Sequence, residues 1–151
     1  MFIKGHLIGG IIFTLILVYS LNIGWFAASI VFLSSILIDV DHYIYYILKT
    51  KDLNIKRSYN WFIKKVEKWE KINQQELSKY KIDIMAFHGI EFISILAILS
   101  FINSGFIWIL TGVTFHLALD HIGLSYKKYP IYAKISPIYT YFTNKKKQEL
   151  S

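Results

Sequence analysis

The chain has 151 residues, enough for one domain, and 54% of them are hydrophobic, which is too apolar for an ordinary soluble domain. The net charge is +7, but Lys and Arg flank the apolar runs, as in membrane proteins, so no nucleic-acid partner is needed to explain it. Cysteine is absent, which excludes disulfides and thiolate metal sites.

The first apolar run extends from Leu7 to Ile38 without a charged residue. It is too long for one membrane-spanning helix of about 20 residues and suits two. Asn22 and Gly24 are its turn-forming residues, so we predict a helical hairpin there. The run lacks a signal-peptide cleavage pattern, and we interpret it as a retained membrane segment.

Residues 49–83 form a basic insertion after this hairpin. Its apolar residues recur at spacings of four and three, which predicts an amphipathic helix with the stripe Ile55, Tyr59, Phe62, Val66 and Trp69. Asn54 is a candidate N-cap, and Asn73 with Glu76 resembles a capping box for a second short helix. The amphipathic helix suits either a membrane surface or packing against the bundle, and both interpretations stay open.

A second apolar run, Ile84 to Leu124, is interrupted at Asn103-Ser104-Gly105 and predicts a second hairpin. Residues 125–151 form an aromatic, basic tail with a short final helix as one option. The expected fold is therefore all-α: a single membrane domain, 1–151, with four transmembrane helices in hairpins 1–48 and 84–124. The positive-inside rule places the insertion and both termini in the cytoplasm, in a multi-pass cell-membrane protein.

The ionisable residues of the apolar runs lie at matched depths. His6, Asp39, His88 and Asp120 are each 15 or 16 residues from the nearest turn residue, which is roughly 22–24 Å along a helix. All five histidines fall in this layer. We expect His88 and Glu91 to share one face of a helix, and His116 and Asp120 to share another. On an ideal helix Asp41 would point away from Asp39 and His42.

Four carboxylates in membrane segments without Lys or Arg need protonation or bound cations. We therefore predict a metal site, although each residue alone has a plainer interpretation as a helix cap, an interfacial group or a proton carrier. His121 ranks below His116, as an outer-shell or surface group. Histidine and carboxylate ligands suit zinc foremost, and also manganese, magnesium or iron. The predicted ligands of two ions are His6, Asp39, Asp41, His42, His88, His116 and Asp120.

Four motifs in this order resemble the YdjM-like family of membrane-bound, metal-dependent hydrolases. Gly5-His6, Asp39-Val40-Asp41-His42, Phe87-His88-Gly89 and Phe115-His116 through Asp120 look like its four conserved segments. The chain departs from the family pattern at Ile38, where the family has proline, and at Asp83, near where the family has another histidine. The family is distantly similar to zinc-dependent phospholipase C, and this implies an all-α phosphoesterase-like fold.

The expected function is hydrolysis of a lipid ester or phosphoester at the cytoplasmic membrane face. Glu91 or Asp83 is the candidate general base, and anionic phospholipids, drawn by the basic insertion, are the candidate substrates. Two alternatives remain open at this point. One is a transporter or channel for a divalent cation or proton, and the other is a non-catalytic scaffold in which the metal only fastens the bundle.

Overall fold

The computed structural model describes residues 3–73, 76–127 and 134–149. Within them the fold is all-α, as predicted, and the one β-type pairing is an isolated bridge between Tyr80 and Gln148. The helices are α1 (Ile3–Leu21), α2 (Trp25–Leu37), α3 (Val40–Thr50), α4 (Ile55–Lys71), α5 (Ile90–Ile102), α6 (Phe106–Lys127) and α7 (Pro137–Asn144). A 3₁₀ turn at Leu77–Lys79 precedes α5.

Both predicted hairpin turns are present. Helices α1 and α2 are joined through Asn22, which adopts a left-handed φ of 52°, a conformation that asparagine tolerates better than most residues. Helices α5 and α6 are joined through a turn in which Asn103 Oδ1 accepts a hydrogen bond of 2.8 Å from Gly105 N. Each loop is three residues long, so the helices that it joins must run antiparallel as close neighbours.

Helix α6 packs against α1, α2 and α5, and its contact with α2 is the most extensive helix pairing in the described residues. Close approach depends on Gly112, because a Cβ there would lie 2.3 Å from Val31 O and 2.1 Å from Ser34 Oγ. On the α1 side, the rings of Phe13 and Phe115 stack with centroids 4.0 Å apart. The main core contains Ile38, Leu96, Val113 and Leu117.

Two stretches, Trp25–Thr50 and Phe106–Ser125, are long and apolar enough to cross a membrane, while Gly5–Leu21 and Ile90–Ile102 are apolar but shorter. The outer surface of the bundle is also apolar; Phe26 and Phe101, for example, are 82% and 91% exposed. These features are typical of membrane association. Crossing by all four segments, and the orientation of the termini, stay predictions.

The insertion contains the predicted amphipathic helix as α4, and Asn54 caps it by accepting a hydrogen bond from Arg57 N at 2.9 Å. The N-terminal part of its apolar stripe, at Ile55 and Tyr59, faces outward, whereas Trp69 is buried against Leu77 and Ile82. The second short helix that the capping-box pattern predicts is not an α-helix. The described residues there form only the 3₁₀ turn, and residues 74–75 lie outside the described residues.

The final helix of the tail is α7, which Ser136 caps by accepting a hydrogen bond from Tyr139 N. The side chain of Asn144 binds both the N–H and the C=O of Ile82, at 3.0 and 2.7 Å. Backbone hydrogen bonds link Gln148 to Lys79 and Lys81. The tail is thus fastened along the end of the insertion, while its aromatic residues at 129 and 132 lie outside the described residues.

Candidate metal centre

The seven predicted ligands lie in one cluster where α1, α6, the α2–α3 junction and the turn before α5 meet. Five of them are buried: His6, Asp41, His88, His116 and Asp120. The carboxylate of Asp39 and the ring of His42 are partly buried beside them. The residues that matched depth predicts to be neighbours therefore lie together in the structure.

The α2–α3 junction explains how Asp39 and Asp41 reach the same place. The helix is interrupted at Ile38 and Asp39, where backbone bonds run from Asp39 N to Ile36 O (3.3 Å) and from Asp41 N to Ile38 O (3.4 Å). Such three-residue spacings tighten the turn relative to an α-helix. Both carboxylates consequently contact the ring of His88, one on each nitrogen.

His88 itself does not lie on α5, contrary to the sequence expectation. The helix begins at Ile90, and His88 occupies the turn before it, with extended backbone at Gly89. Glu91, in the first turn of the helix, contacts the tail instead of the cluster. The expected shared face of His88 and Glu91 was wrong because the helix starts two residues too late to include the histidine.

Four ligand atoms converge at the centre of the cluster: His88 Nε2, His116 Nε2, Asp39 Oδ1 and Asp120 Oδ2. The two nitrogens are 3.3 Å apart. Asp39 Oδ1 lies 3.3 Å from His88 Nε2 and 3.6 Å from His116 Nε2. Asp120 Oδ2 lies 3.5 and 3.4 Å from the same two nitrogens. We call these four atoms the acceptor cage.

The protonation of both rings follows from their outer nitrogens. His88 Nδ1 lies 2.9 Å from Asp41 Oδ2, and His116 Nδ1 lies 2.7 Å from the backbone carbonyl of Ser35. Carboxylate and carbonyl oxygens can only accept, so both Nδ1 atoms must donate. In neutral rings, each Nε2 then presents a lone pair to the cage. A carboxylate or carbonyl that fixes the tautomer in this way is typical of histidines that bind metal.

The acceptor cage is only partly balanced by the protein. Lys134 donates to Asp120 Oδ2, whereas the two Nε2 lone pairs face each other and Asp39 Oδ1 is buried without a hydrogen bond among the described residues. Either a proton shared by the rings or a metal cation would satisfy them. The contacts that His88 Nε2, His116 Nε2 and Asp39 Oδ1 make with one another are 3.3–3.6 Å, and these three residues form a group that could hold a metal ion.

Three further groups support the cage from outside. Asp41 accepts hydrogen bonds from His42 Nδ1 (2.9 Å) and Phe87 N (3.0 Å) as well as from His88. His6 stacks on His116, with ring centroids 4.2 Å apart, and its Nε2 lies 3.2 Å from Asp120 Oδ1. His42 and His6 thus surround the four central atoms, and they form further three-residue groups with a spacing that could hold a metal ion.

The two candidate general bases and His121 lie apart from the cage. Asp83 accepts hydrogen bonds from Tyr45 Oη and Lys65 Nζ. Glu91 accepts from Ser136 Oγ and from Ile138 N. His121 Nδ1 donates to Leu117 O at 2.7 Å, within its own helix. The catalytic role of Asp83 and Glu91 stays a prediction, and their contacts link segments of the chain.

Lys134 is the member of the site that sequence reasoning missed. Its ammonium forms an ion pair with Asp120 Oδ2, one of the four cage atoms. The sequence placed this lysine among the flanking charges of the tail, because it lies 14 residues from Asp120 and outside the apolar runs. Lys134 reaches the cluster because the tail packs back against the bundle, and no local sequence pattern predicts that packing.

Comparisons with known proteins give no match to this chain among protein-family models, curated proteins or solved structures. The resemblance to the YdjM-like hydrolases therefore rests on the four motifs alone. The buried His and Asp residues of the cluster could hold a metal ion.

Proposed function

We propose that the chain is a membrane-embedded, metal-dependent hydrolase that acts on a lipid ester or phosphoester at the cytoplasmic membrane face. The observation that carries this proposal is the acceptor cage, in which two imidazole nitrogens and two carboxylate oxygens converge and only Asp120 Oδ2 has a cationic partner, Lys134. The four motifs that resemble metal-dependent membrane hydrolases support the same function.

The surface and backbone of the bundle support a position within the membrane. In this proposal α1, α2 with α3, α5 and α6 all cross, and both termini and α4 are cytoplasmic. Irregular backbone at membrane depth is tolerated where protein buries it. The interruption at Ile38–Asp39 and the turn at His88 meet this condition, since Ile38 is 4% and His88 0% exposed.

The geometry favours one ion in the acceptor cage, rather than the two that the sequence suggested. Asp41 is engaged by two rings and a backbone N–H, so it orients His88 and His42 instead of facing the cage. Two imidazole nitrogens with carboxylate oxygens suit zinc, which accepts nitrogen and oxygen ligands. When bound, such an ion supplies Lewis acidity and activates water near neutral pH.

His6 is the residue placed to move a proton in this proposal. Its Nε2 faces Asp120 Oδ1 at 3.2 Å, so the carboxylate fixes the ring with Nε2 as donor. Its Nδ1 then carries a lone pair, and this atom is buried with no hydrogen bond among the described residues. A ring oriented by a carboxylate and free to accept at its other nitrogen is the arrangement of a general base.

The decisive experiment measures divalent metal per chain by elemental analysis of detergent-purified protein, for wild type, His116→Ala and His121→Ala. Both histidines lie on α6, but only His116 faces the acceptor cage. We expect one ion in the wild type and in His121→Ala, and none in His116→Ala. Metal-loaded protein should then cleave members of a panel of carboxylic and phosphoric esters, and a chelator should stop the reaction.

A wild-type protein that binds no metal while His116→Ala remains folded would refute the proposal at its first step. In that case a proton shared between His88 and His116 would balance the cage. A protein that holds its ion but cleaves nothing in the panel would lead to the second candidate function, a metal-fastened scaffold.

The scaffold has its own supporting observation. If all four cage atoms bound one ion they would complete its coordination shell, and closed shells of this kind are typical of structural metals. The ligands come from the α2–α3 junction, the turn before α5 and α6, so an ion would fasten three segments. A scaffold predicts that the metal-loaded protein gains stability but shows no chelator-sensitive hydrolysis.

A further inference from the structure

The charge of the cluster does not balance without Lys134. The carboxylates of Asp39, Asp41 and Asp120 contact histidine rings, which can be neutral. The ammonium of Lys134 is paired with Asp120. With neutral rings, the three carboxylates and one ammonium leave a charge of −2, which a single divalent ion cancels. A second divalent ion in the same buried volume would leave an uncompensated positive excess.

The ammonium also has a defined position next to the cage. Lys134 shares Asp120 Oδ2 with the two histidine nitrogens, and its side chain is only 14% exposed. An ammonium has three protons, and Asp120 uses one of them. A cation at this place would attract the oxygens of an anionic group that binds beside the ion, as lysines do in phosphate sites.

The backbone around Lys134 is fixed by the N-terminus of α5. Ile135 O accepts a hydrogen bond of 2.8 Å from Ile90 N. Glu91 accepts from Ser136 Oγ and from Ile138 N. Three hydrogen bonds thus hold the residues directly after Lys134, and Pro137 packs so closely on Gly89 that a Cβ there would lie 2.1 Å from its Cδ. The lysine is therefore a built component of the site.

We propose that Lys134 takes the place of a second metal ion: it makes the site mononuclear and binds the anionic phosphate group of the substrate beside the single ion. This inference rests on the proposed function and narrows its substrate class to phosphoric esters over neutral esters. The phosphate could belong to a lipid headgroup or to a soluble phosphoester, and both would present the same oxygens to the ammonium.

The test is calorimetric titration of the metal-loaded, detergent-purified protein with inorganic phosphate, with metal content measured on the same samples. The variants are Lys134→Met, Lys134→Arg and Lys145→Met. Lys145 is a matched control, because it removes the same charge from the same tail but lies over the rings of Tyr141 and Phe142. We expect one ion per chain throughout and at least about tenfold weaker phosphate binding in Lys134→Met alone.

Lys134→Arg should bind phosphate within a few-fold of wild type, because it keeps the charge. Equal phosphate affinity in Lys134→Met and wild type would overturn the inference, as would two ions in the wild type or an equal loss in Lys145→Met. Metal loss in Lys134→Met would also overturn it, since the lysine would then support the fold of the cage. All of these outcomes differ from failure of the proposed function, in which the wild type binds no metal at all.

A second arm distinguishes the two sources of phosphate. Dihexanoyl phosphatidic acid and glycerol phosphate are each titrated against the metal-loaded wild type and Lys134→Met. Tighter binding of the lipid, lost in Lys134→Met, assigns the site to a headgroup. Equal binding of both, again lost in Lys134→Met, assigns it to a soluble phosphoester, and binding of neither overturns the inference.

Discussion

Helices α2 and α6 meet in two regions of opposite character. In the first region, which we call the seam, Gly112 packs directly against the backbone of Val31 and Ser35 and the hydroxyl of Ser34. In the second, about a turn further along α6, His116 enters the acceptor cage. The serine hydroxyls of the seam bond to carbonyls of their own helix, at 2.7–3.1 Å, so the seam is complete by itself. The cage consists of acceptors, of which Asp120 Oδ2 is paired with Lys134 and Asp39 Oδ1 has no hydrogen bond among the described residues.

One pair of helices thus has two sources of stability, and the hydrogen bond from His116 Nδ1 to Ser35 O is the contact that links them. Removal of a metal should affect the cage and leave the seam unchanged, whereas a bulkier residue in the seam should act whether metal is present or not.

The largest effect should come from the metal itself. A ligand that binds only the folded state at 1,000 times its dissociation constant stabilises it by about 4 kcal/mol. We expect the thermal midpoint of detergent-purified protein to rise with added zinc and to fall with chelator. His116→Ala should abolish the response and His121→Ala should keep it. A metal response that persists in His116→Ala would place the ion elsewhere.

Gly112→Ala should destabilise the seam by about 1–3 kcal/mol, the usual cost of overpacking, because its Cβ meets the backbone oxygen of Val31. The loss should be the same with zinc and with chelator. Gly123→Ala is the matched control on the same helix: no atom lies within 4 Å of a Cβ there, so better helix propensity should stabilise it slightly. If Gly112→Ala lost stability only in the absence of metal, the stability of the seam would depend on the cage.

Asp41→Asn should weaken metal binding about 10- to 100-fold, the usual effect of losing a residue that orients a metal-binding histidine. The amide oxygen can still accept a hydrogen bond from His88, but the amide carries no charge, and its NH₂ group would then face His42 Nδ1, one of the three donors that now bond to Asp41. Competition with a metallochromic chelator measures the change. Asp52→Asn, a carboxylate outside the cluster, should leave the affinity as in wild type.

The smallest effect is a dependence on pH outside both regions. The hydrogen bond from Tyr46 Oη holds the pKa of Asp52 below its ordinary value of about 3.9. A carboxyl with a lowered pKa in the folded state contributes stability above its unfolded pKa, and the contribution is lost as pH falls through the folded pKa. Tyr46→Phe should therefore be less stable than wild type near neutral pH, and the difference should shrink below about pH 4. A difference that grows in acid would contradict this assignment.

The comparison of seam and cage also shows what the sequence could predict. Matched depth predicted that His6, Asp39, His88 and Asp120 lie together, with His116 about a turn away, because a helix turns residue number into position along one axis. The hairpin turns at Asn22 and Asn103 were predictable for the same reason, since turn residues interrupt apolar runs. Depth and turn chemistry are local properties of the chain.

Features that depend on the direction of a side chain around the helix axis, or on contacts with a distant part of the chain, were not predictable. The tightened turn at Ile38–Asp39 rotates Asp41 toward His88. Counting residues from a turn gives the depth of a side chain but not its direction around the helix axis. The start of α5 at Ile90 separates Glu91 from His88, because the preceding turn accommodates the tail. Lys134 reaches Asp120 through hydrogen bonds between residues far apart in sequence, which no helical period encodes.

The fastening of the tail has a consequence for synthesis of the chain. The four atoms of the acceptor cage belong to residues between Asp39 and Asp120, whereas Lys134 comes later in the chain. Synthesis therefore delivers the carboxylates of the cluster before the ammonium that pairs with Asp120. Until Lys134 and the residues after it emerge from the ribosome, Glu91 also lacks its hydrogen bonds from Ser136 and Ile138.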